Sequence, residues 1–202
     1  MRSGKTLALA ALLALIGTVG LLAGCSQDGN EFQRLVCEVS QVNEGAPLVS
    51  GYLDVGADKE AGTEDDIFPI DFVSVKFYAR PYSAVVTLPE GSPYSHFHVT
   101  SYDLTWVPLT AAGDSLRNYN QVDTRTDLLV PVDNEATVVI LVADRRMKDS
   151  PWFAELVAPD NPRPSFTAIA ELRFRGHETG SETEIEIPAS LMVTFVGAII
   201  SS

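Results

Sequence analysis

From about residue 34 onward the chain repeats one pattern. Apolar and polar residues alternate with period two over short runs, and clusters of Gly, Pro and Asp separate the runs. Side chains of a strand point to opposite faces in turn, so each run describes a ribbon with one face for a core and one for water. Leu35, Cys37 and Val39 share one such face; Val49, Gly51, Leu53 and Val55 share a second; Val73, Val75, Phe77 and Ala79 a third, which stops where Arg80-Pro81 removes a ladder donor. A short strand is expected around Ala84 to Leu88, ended by the turn-forming Pro89-Glu90-Gly91-Ser92-Pro93. Thr100, Tyr102, Leu104 and Trp106 give a strand with an aromatic inner face. Val138 to Val142 is continuously apolar, which predicts a central strand or one buried on both faces.

One segment reads as helix. Ser150 suits an N-cap, Pro151 the first turn, and Trp152, Phe153, Leu156 and Val157 an apolar face before Pro159 ends it, so one short helix is expected near 150–158. The chain then closes with a hairpin, Ala168 to Arg175 against Glu184 to Phe195 across Gly176 to Gly180, with Pro188 predicting a bulge or a strand edge. About seven short strands, one small helix and no helix–strand alternation predict an all-β fold, an antiparallel β-sandwich.

The first 24 residues follow other rules. Arg2 and Lys5 precede an apolar run from Leu7 to Leu22, then Ala23, Gly24 and Cys25. A charged start, an apolar middle and small residues before a cut read as a secretory signal, while the length of the run, close to the roughly 18 residues of a membrane-spanning helix, leaves that reading open as well. The junction Leu22-Ala23-Gly24-Cys25 resembles the lipobox of bacterial lipoproteins. The resemblance implies cleavage before Cys25, diacylglycerol on its sulfur and acylation of the new amino group, and so a protein held on a membrane outside the cytoplasm by acyl chains. Two or more chains are needed, because each buried methylene contributes only about 0.8 kcal/mol. Ser26, standing where aspartate would signal inner-membrane retention in Gram-negative lipoproteins, favours the outer membrane if the cell has one. The expected organisation is a removed leader, 1–24, a lipidated cysteine with a polar tether, 25–32, and one β-sandwich domain, 33–202.

Charge narrows the partners. The leader holds two of the 14 basic residues, so the remainder carries 12 against 27 acidic ones. Such a surface repels nucleic acid and anionic lipid head groups; the expected partners are the membrane, through the anchor, and another envelope protein. If Cys25 is acylated, Cys37 has no partner in the chain, so no intramolecular disulfide is expected. Cys37 reads as a small buried hydrophobe, with a reactive thiol as the functional alternative.

The stretch Val99-Thr100-Ser101-Tyr102-Asp103-Leu104-Thr105-Trp106 resembles an inner strand of immunoglobulin-like or fibronectin type III-like modules, and the terminal hairpin suits their last two strands. The resemblance implies an immunoglobulin-like sandwich. It lacks the paired core cysteines of antibody domains, and a fold of this kind names no function.

Two constellations suggest chemistry. Asp58, Glu60, Glu64, Asp65 and Asp66 gather hard oxygen ligands on one loop, as Ca²⁺ requires, although their spacing departs from an EF-hand; a solvated acidic loop is the plainer reading. His96 and His98, two residues apart on a strand, point the same way and suit Zn²⁺ if further ligands join them, with His177 the third histidine of the chain. Trp106, Trp152, Tyr78, Tyr82, Tyr94 and Tyr102 read as core first and as sugar-stacking surfaces second. No Gly-x-Ser-x-Gly, His-Glu-x-x-His, phosphate-loop or Cys-x-x-Cys pattern occurs. The expectation is a noncatalytic cell-envelope lipoprotein acting as a binding or assembly module, without a cofactor. The alternatives are a calcium- or zinc-dependent surface protein with hydrolytic chemistry, and a carbohydrate-binding module. An assembly role further predicts an apolar patch on an otherwise acidic surface.

Overall fold

A computed structural model describes residues 33–55, 64, 66–83, 92, 95–158, 160 and 162–199. The leader, the tether with Cys25, and the strand expected at Ala84 to Leu88 lie outside the described residues.

Among the described residues eight strands form, where alternation called for most of them: β1 (Leu35–Val42), β2 (Leu48–Asp54), β3 (Asp71–Pro81), β4 (His96–Pro108), β5 (Gln121–Pro131), β6 (Glu135–Ala143), β7 (Phe166–Glu178) and β8 (Ile185–Ile199). They make two sheets, ordered β1-β3-β6 and β2-β8-β7-β4-β5. The inward faces share one core. Phe77 of the three-stranded sheet meets Phe174 of the five-stranded sheet edge to face, with centroids 4.9 Å apart, and Trp106, Phe153, Phe166 and Phe195 form a second aromatic group. The chain is therefore mostly β, in two facing sheets.

The smaller sheet is antiparallel, but the larger is mixed, because β2 runs parallel to β8. The cause lies between β1 and β2. Asn43, Glu44 and Gly45 stand in succession at φ of 48°, 55° and 80°, a left-handed jog that shifts the chain from one sheet to the other without reversing it. The strand β2 thus keeps the heading of β1, which is also that of β8.

Local chemistry explains other details. A register shift between Val99 and Ser101 lets β4 bury Phe97 and Val99 before it and Tyr102, Leu104 and Trp106 after it; Ser101 turns in and Thr100 bonds the Arg175 carbonyl at 3.3 Å. Val49, expected on an inner face, is exposed, whereas Gly51, Leu53 and Val55 are buried. The strand β2 joins β8 only from Val193 onward, so Pro188 lies on a local edge where its missing N–H costs nothing. The expected helix forms as α2 (Pro151–Ala154), capped by Ser150 and extended by a 3-10 turn over Glu155–Val157. A further turn, α1 (Arg145–Lys148), precedes it, with Asp144 Oδ1 accepting from the Met147 amide at 2.7 Å.

The strand β6 overturns one expectation. Its apolar run is neither central nor buried on both faces: among the described residues β6 is an edge strand, and Val139 is 63 % exposed.

Strand directions fix two ends. Leu35 pairs with Pro81 at the end where β1 starts; Asp71, Ala143, α1 and the end of β2 lie at the other. About ten residues of β3 separate them, roughly 30 Å.

Candidate functional site

Of the acidic loop, Asp58, Glu60 and Asp65 lie outside the described residues; Glu64 is exposed and Asp66 half-exposed. His96 and His98 both face outward from β4, as their spacing predicts, yet they take different partners. His96 Nδ1 lies 2.9 Å from the Ser95 hydroxyl. His98 meets His177, its cross-strand neighbour on β7, at a ring separation of 5.4 Å, and its Nε2 lies 2.8 Å from Asp127 Oδ1 on β5. Sequence spacing did not disclose the His98–His177 encounter, because the β4 bulge sets that register. Among the described residues no three His, Cys, Asp or Glu side chains converge in a geometry that could hold a metal ion.

The outer face of the five-stranded sheet is charged. Arg175 is its hub, hydrogen-bonded to Asp103 and flanked by Asp123 at 3.8 Å and by Glu184 and Glu186 at 3.9 Å. The Asp123 amide, then the Arg175 guanidinium, stabilise the charged form of Asp103 and hold its carboxyl below the usual carboxylate range. Beside them, Asp103, Thr105, Glu171, Arg173, Pro188 and Ser190 line an open depression of about 470 Å³. Arg173 and Arg175 pair here with Asp103, Asp123, Glu184 and Glu186, so the face offers a polar relief.

The reactive side chains inside the fold are held inert. Lys148 is fully buried, its Nζ 2.8 Å from Asp71 Oδ2 and 2.7 Å from the Gly51 carbonyl, while the Ser50 hydroxyl donates to the same Asp71 oxygen at 2.6 Å. Burial lowers the pKa of Lys148 and Asp71 opposes that shift. This triad ties β2, β3 and α1 together. Cys37 is free and buried, and burial pushes its thiol up to about 12, far from the thiolate that a reactive cysteine needs. Glu178, also buried, accepts the amides of Arg34 and Leu35 at 2.5 and 2.7 Å, fixing the start of β1.

Most of the aromatic residues serve the interior. Trp106 and Tyr102 are core; Trp152 packs on Phe153 and Phe166 beneath the Arg163 guanidinium; Tyr78 is half-buried; Tyr82 is exposed; Tyr94 lies outside the described residues.

A different surface stands out. At the end remote from Leu35, Phe72 of β3 is 57 % exposed, beside its partner Leu141 on β6; Val139, on the same face, is adjacent. The preceding link adds exposed Ile67, Phe68 and Ile70, with Phe68 edge-on to Tyr52 at 5.2 Å. Together they present on the order of 400 Å² of apolar surface, the size at which an exposed patch marks an interaction site. The alternation of β3 pointed to Phe72 as outward, but period-two reading expects polar residues there, and sequence reasoning missed the patch. The signal was present in Ile67-Phe68-Pro69-Ile70-Asp71-Phe72, an apolar stretch directly after the acidic loop. No family model matches the chain, and no curated protein is detectably similar to it.

Proposed function

We propose that the chain is a noncatalytic cell-envelope lipoprotein, anchored through Cys25, whose immunoglobulin-like sandwich binds another envelope protein through the apolar surface around Phe72. That surface is the observation that carries the reading: a chain with 27 acidic and 14 basic residues exposes Ile67, Phe68, Ile70 and Phe72 together at one end of β3. Phe72 lies at the opposite end of β3 from Pro81, the residue that pairs with Leu35 at the start of β1. The strand order supports an immunoglobulin-like sandwich, with β1, β3 and β6 in the places of the first sheet and β4, β7 and β8 in those of the second. The lipobox and Ser26 support an extracytoplasmic location, on the outer membrane where the cell has one.

The test is carried out in cells on the full-length protein. Cys25→Ala should abolish incorporation of a labelled fatty acid and release the protein from membranes. The double substitution Phe72→Ser/Ile70→Ser should leave membrane attachment and Tm unchanged but remove a cross-linked adduct formed by the wild type. Retained labelling in Cys25→Ala would overturn the anchor, and an adduct indifferent to the patch substitutions would overturn the interaction surface. A melt in chelator, then with excess Ca²⁺ or Zn²⁺, separates the metal-dependent alternative, since only a binding site raises Tm by mass action.

A further inference from the structure

We infer that the buried Asp71–Lys148 pair, together with Ser50, holds the apolar surface around Phe72 in its binding shape, so that these three buried side chains are its positioning residues. The inference rests on the reading of that surface as an interaction site and names what organises it.

The surface is assembled from separate pieces of chain. Phe72 comes from β3, Val139 and Leu141 from β6, and Ile67, Phe68 and Ile70 from the link between β2 and β3, with Phe68 edge-on to Tyr52 of β2. On the inner side, the triad draws on the same pieces. Asp71 stands between Ile70 and Phe72; Ser50 and Gly51, which bond Asp71 and Lys148, directly precede Tyr52; Lys148 belongs to α1, the turn that follows β6. Successive side chains of a strand point to opposite faces, so an Asp71 held inward turns its neighbour Phe72 outward. The link is also pinned at both ends. At Ile67 it makes two backbone bonds to Asp54, of 2.9 and 3.0 Å, and at Asp71 it is held by the Lys148 ammonium and the Ser50 hydroxyl.

The sheet by itself leaves this corner loosely determined. The strand β1 pairs with β3 only as far as Val75, so among the described residues Asp71 to Ser74 have β6 as their one ladder neighbour. There the register slips: Asp71 stands opposite Ala143 and Phe72 opposite Leu141, which leaves Val142 bulged. A bulge disrupts the ladder and re-aims side chains; directed side-chain bonds then fix the start of β3. A buried ion pair suits that task better than it suits adding stability. Desolvation offsets most of its attraction, and apolar residues of similar volume often replace it at small cost. Its bonds, at 2.6 Å from Ser50, 2.7 Å to Gly51 and 2.8 Å between Lys148 and Asp71, have a direction that packed methyl groups lack.

The probe is benzoylphenylalanine in place of Val139, in the full-length protein in intact cells. Illumination should give an adduct in the otherwise wild-type chain and none in Phe72→Ser/Ile70→Ser. With Lys148→Met/Asp71→Leu, which keeps an apolar tie and a folded body, adduct yield should fall roughly fivefold as preorganisation is lost. In the purified protein, exchange of the Ile67 amide should speed up by about tenfold while amides of β7 keep their wild-type rates. Lys148→Gln/Asp71→Asn, neutral but still able to bond one another and the Gly51 carbonyl, should restore most of the yield. Gly176→Ala, which strains the body beside His98 and Phe97, should lower Tm and keep the adduct. A Lys148→Met/Asp71→Leu protein that cross-links like wild type overturns the positioning role and leaves the interaction surface standing, as does a yield that follows Tm through Gly176→Ala as well. An adduct that persists in Phe72→Ser/Ile70→Ser, or none in wild type, overturns the surface and the inference together. Should Lys148→Met/Asp71→Leu not fold, Ser50→Ala carries the test, since it withdraws one bond from Asp71 and leaves the ion pair: lower yield and selectively faster Ile67 exchange are expected, and wild-type values of both overturn the positioning role.

Discussion

Replacing Asp71 with Ala would leave the Lys148 ammonium fully buried with the Gly51 carbonyl and without its counter-charge. Removing one partner of a buried pair costs about 3–5 kcal/mol. With a urea m-value of about 2 kcal/mol per M for a body of this size, the midpoint should fall by roughly 1.5–2.5 M. Lys148→Met should cost less, because Asp71 keeps the Ser50 hydroxyl as a donor and is the more accessible of the two. The double variant Lys148→Met/Asp71→Leu removes both charges and strands only the Gly51 carbonyl and the Ser50 hydroxyl, a loss of about 1–3 kcal/mol. It should therefore be more stable than Asp71→Ala. The pH dependence provides a second readout. Burial already holds Lys148 below its unfolded value of 10.5, and Asp71 counters that shift; without Asp71 the folded pKa falls further. Between the folded and unfolded values the unfolded chain binds more protons, so stability rises with pH across that window. Asp71→Ala should thus recover stability relative to wild type as pH climbs towards 10.5. Equilibrium urea melts at several pH values read all of this. A double variant no better than Asp71→Ala, or a pH slope equal to that of wild type, would refute the assignment of the cost to an uncompensated buried charge.

Three further outcomes are expected. Because the folded thiol of Cys37 is raised from about 9 to about 12, its contribution is intact below pH 9 and lost as pH rises towards 12, by up to about 1.4 kcal/mol per unit; Cys37→Ala should flatten the alkaline limb of the stability profile, and equal slopes would contradict the burial. At Gly176 a Cβ would collide with the His98 carbonyl oxygen and lie 2.6 Å from Phe97 Cε1, so Gly176→Ala should cost about 2–3 kcal/mol in a thermal or urea melt. Glu178→Ala, which strips the acceptor from the Arg34 and Leu35 amides, should raise hydrogen exchange at those two amides selectively, with Glu178→Gln intermediate.

The legible parts of this fold are those in which one face is wet and the other dry. The strands β3, β7 and β8, the inner half of β4 and the capped turn at Ser150 follow from residue spacing alone, because each buries a regular stripe. The strand β5 escaped notice since an edge strand with solvent on most of its surface needs few apolar residues: Asp123, Arg125 and Asp127 all point outward. The strand β6 misled for the opposite reason, as its apolar run reflects an exposed face and not burial on both sides. Long-range encounters were out of reach. Lys148 and Asp71 meet because α1 folds back over the start of β3, and His98 and His177 because a bulge sets their register. The parallel placement of β2 depends on three left-handed residues that no hydrophobic pattern announces.

The way β1 leaves the body has a mechanical consequence. It is paired with β3 through seven register positions, beginning at Leu35, and Glu178 grips the amides of Arg34 and Leu35. A pull on the start of β1, resisted at the Phe72 end of β3, runs along the strand axis. It loads the β1–β3 ladder in shear, all rungs together, instead of peeling them singly as a pull across the sheet would. Loaded between those two points, the body would yield only when the whole ladder fails at once.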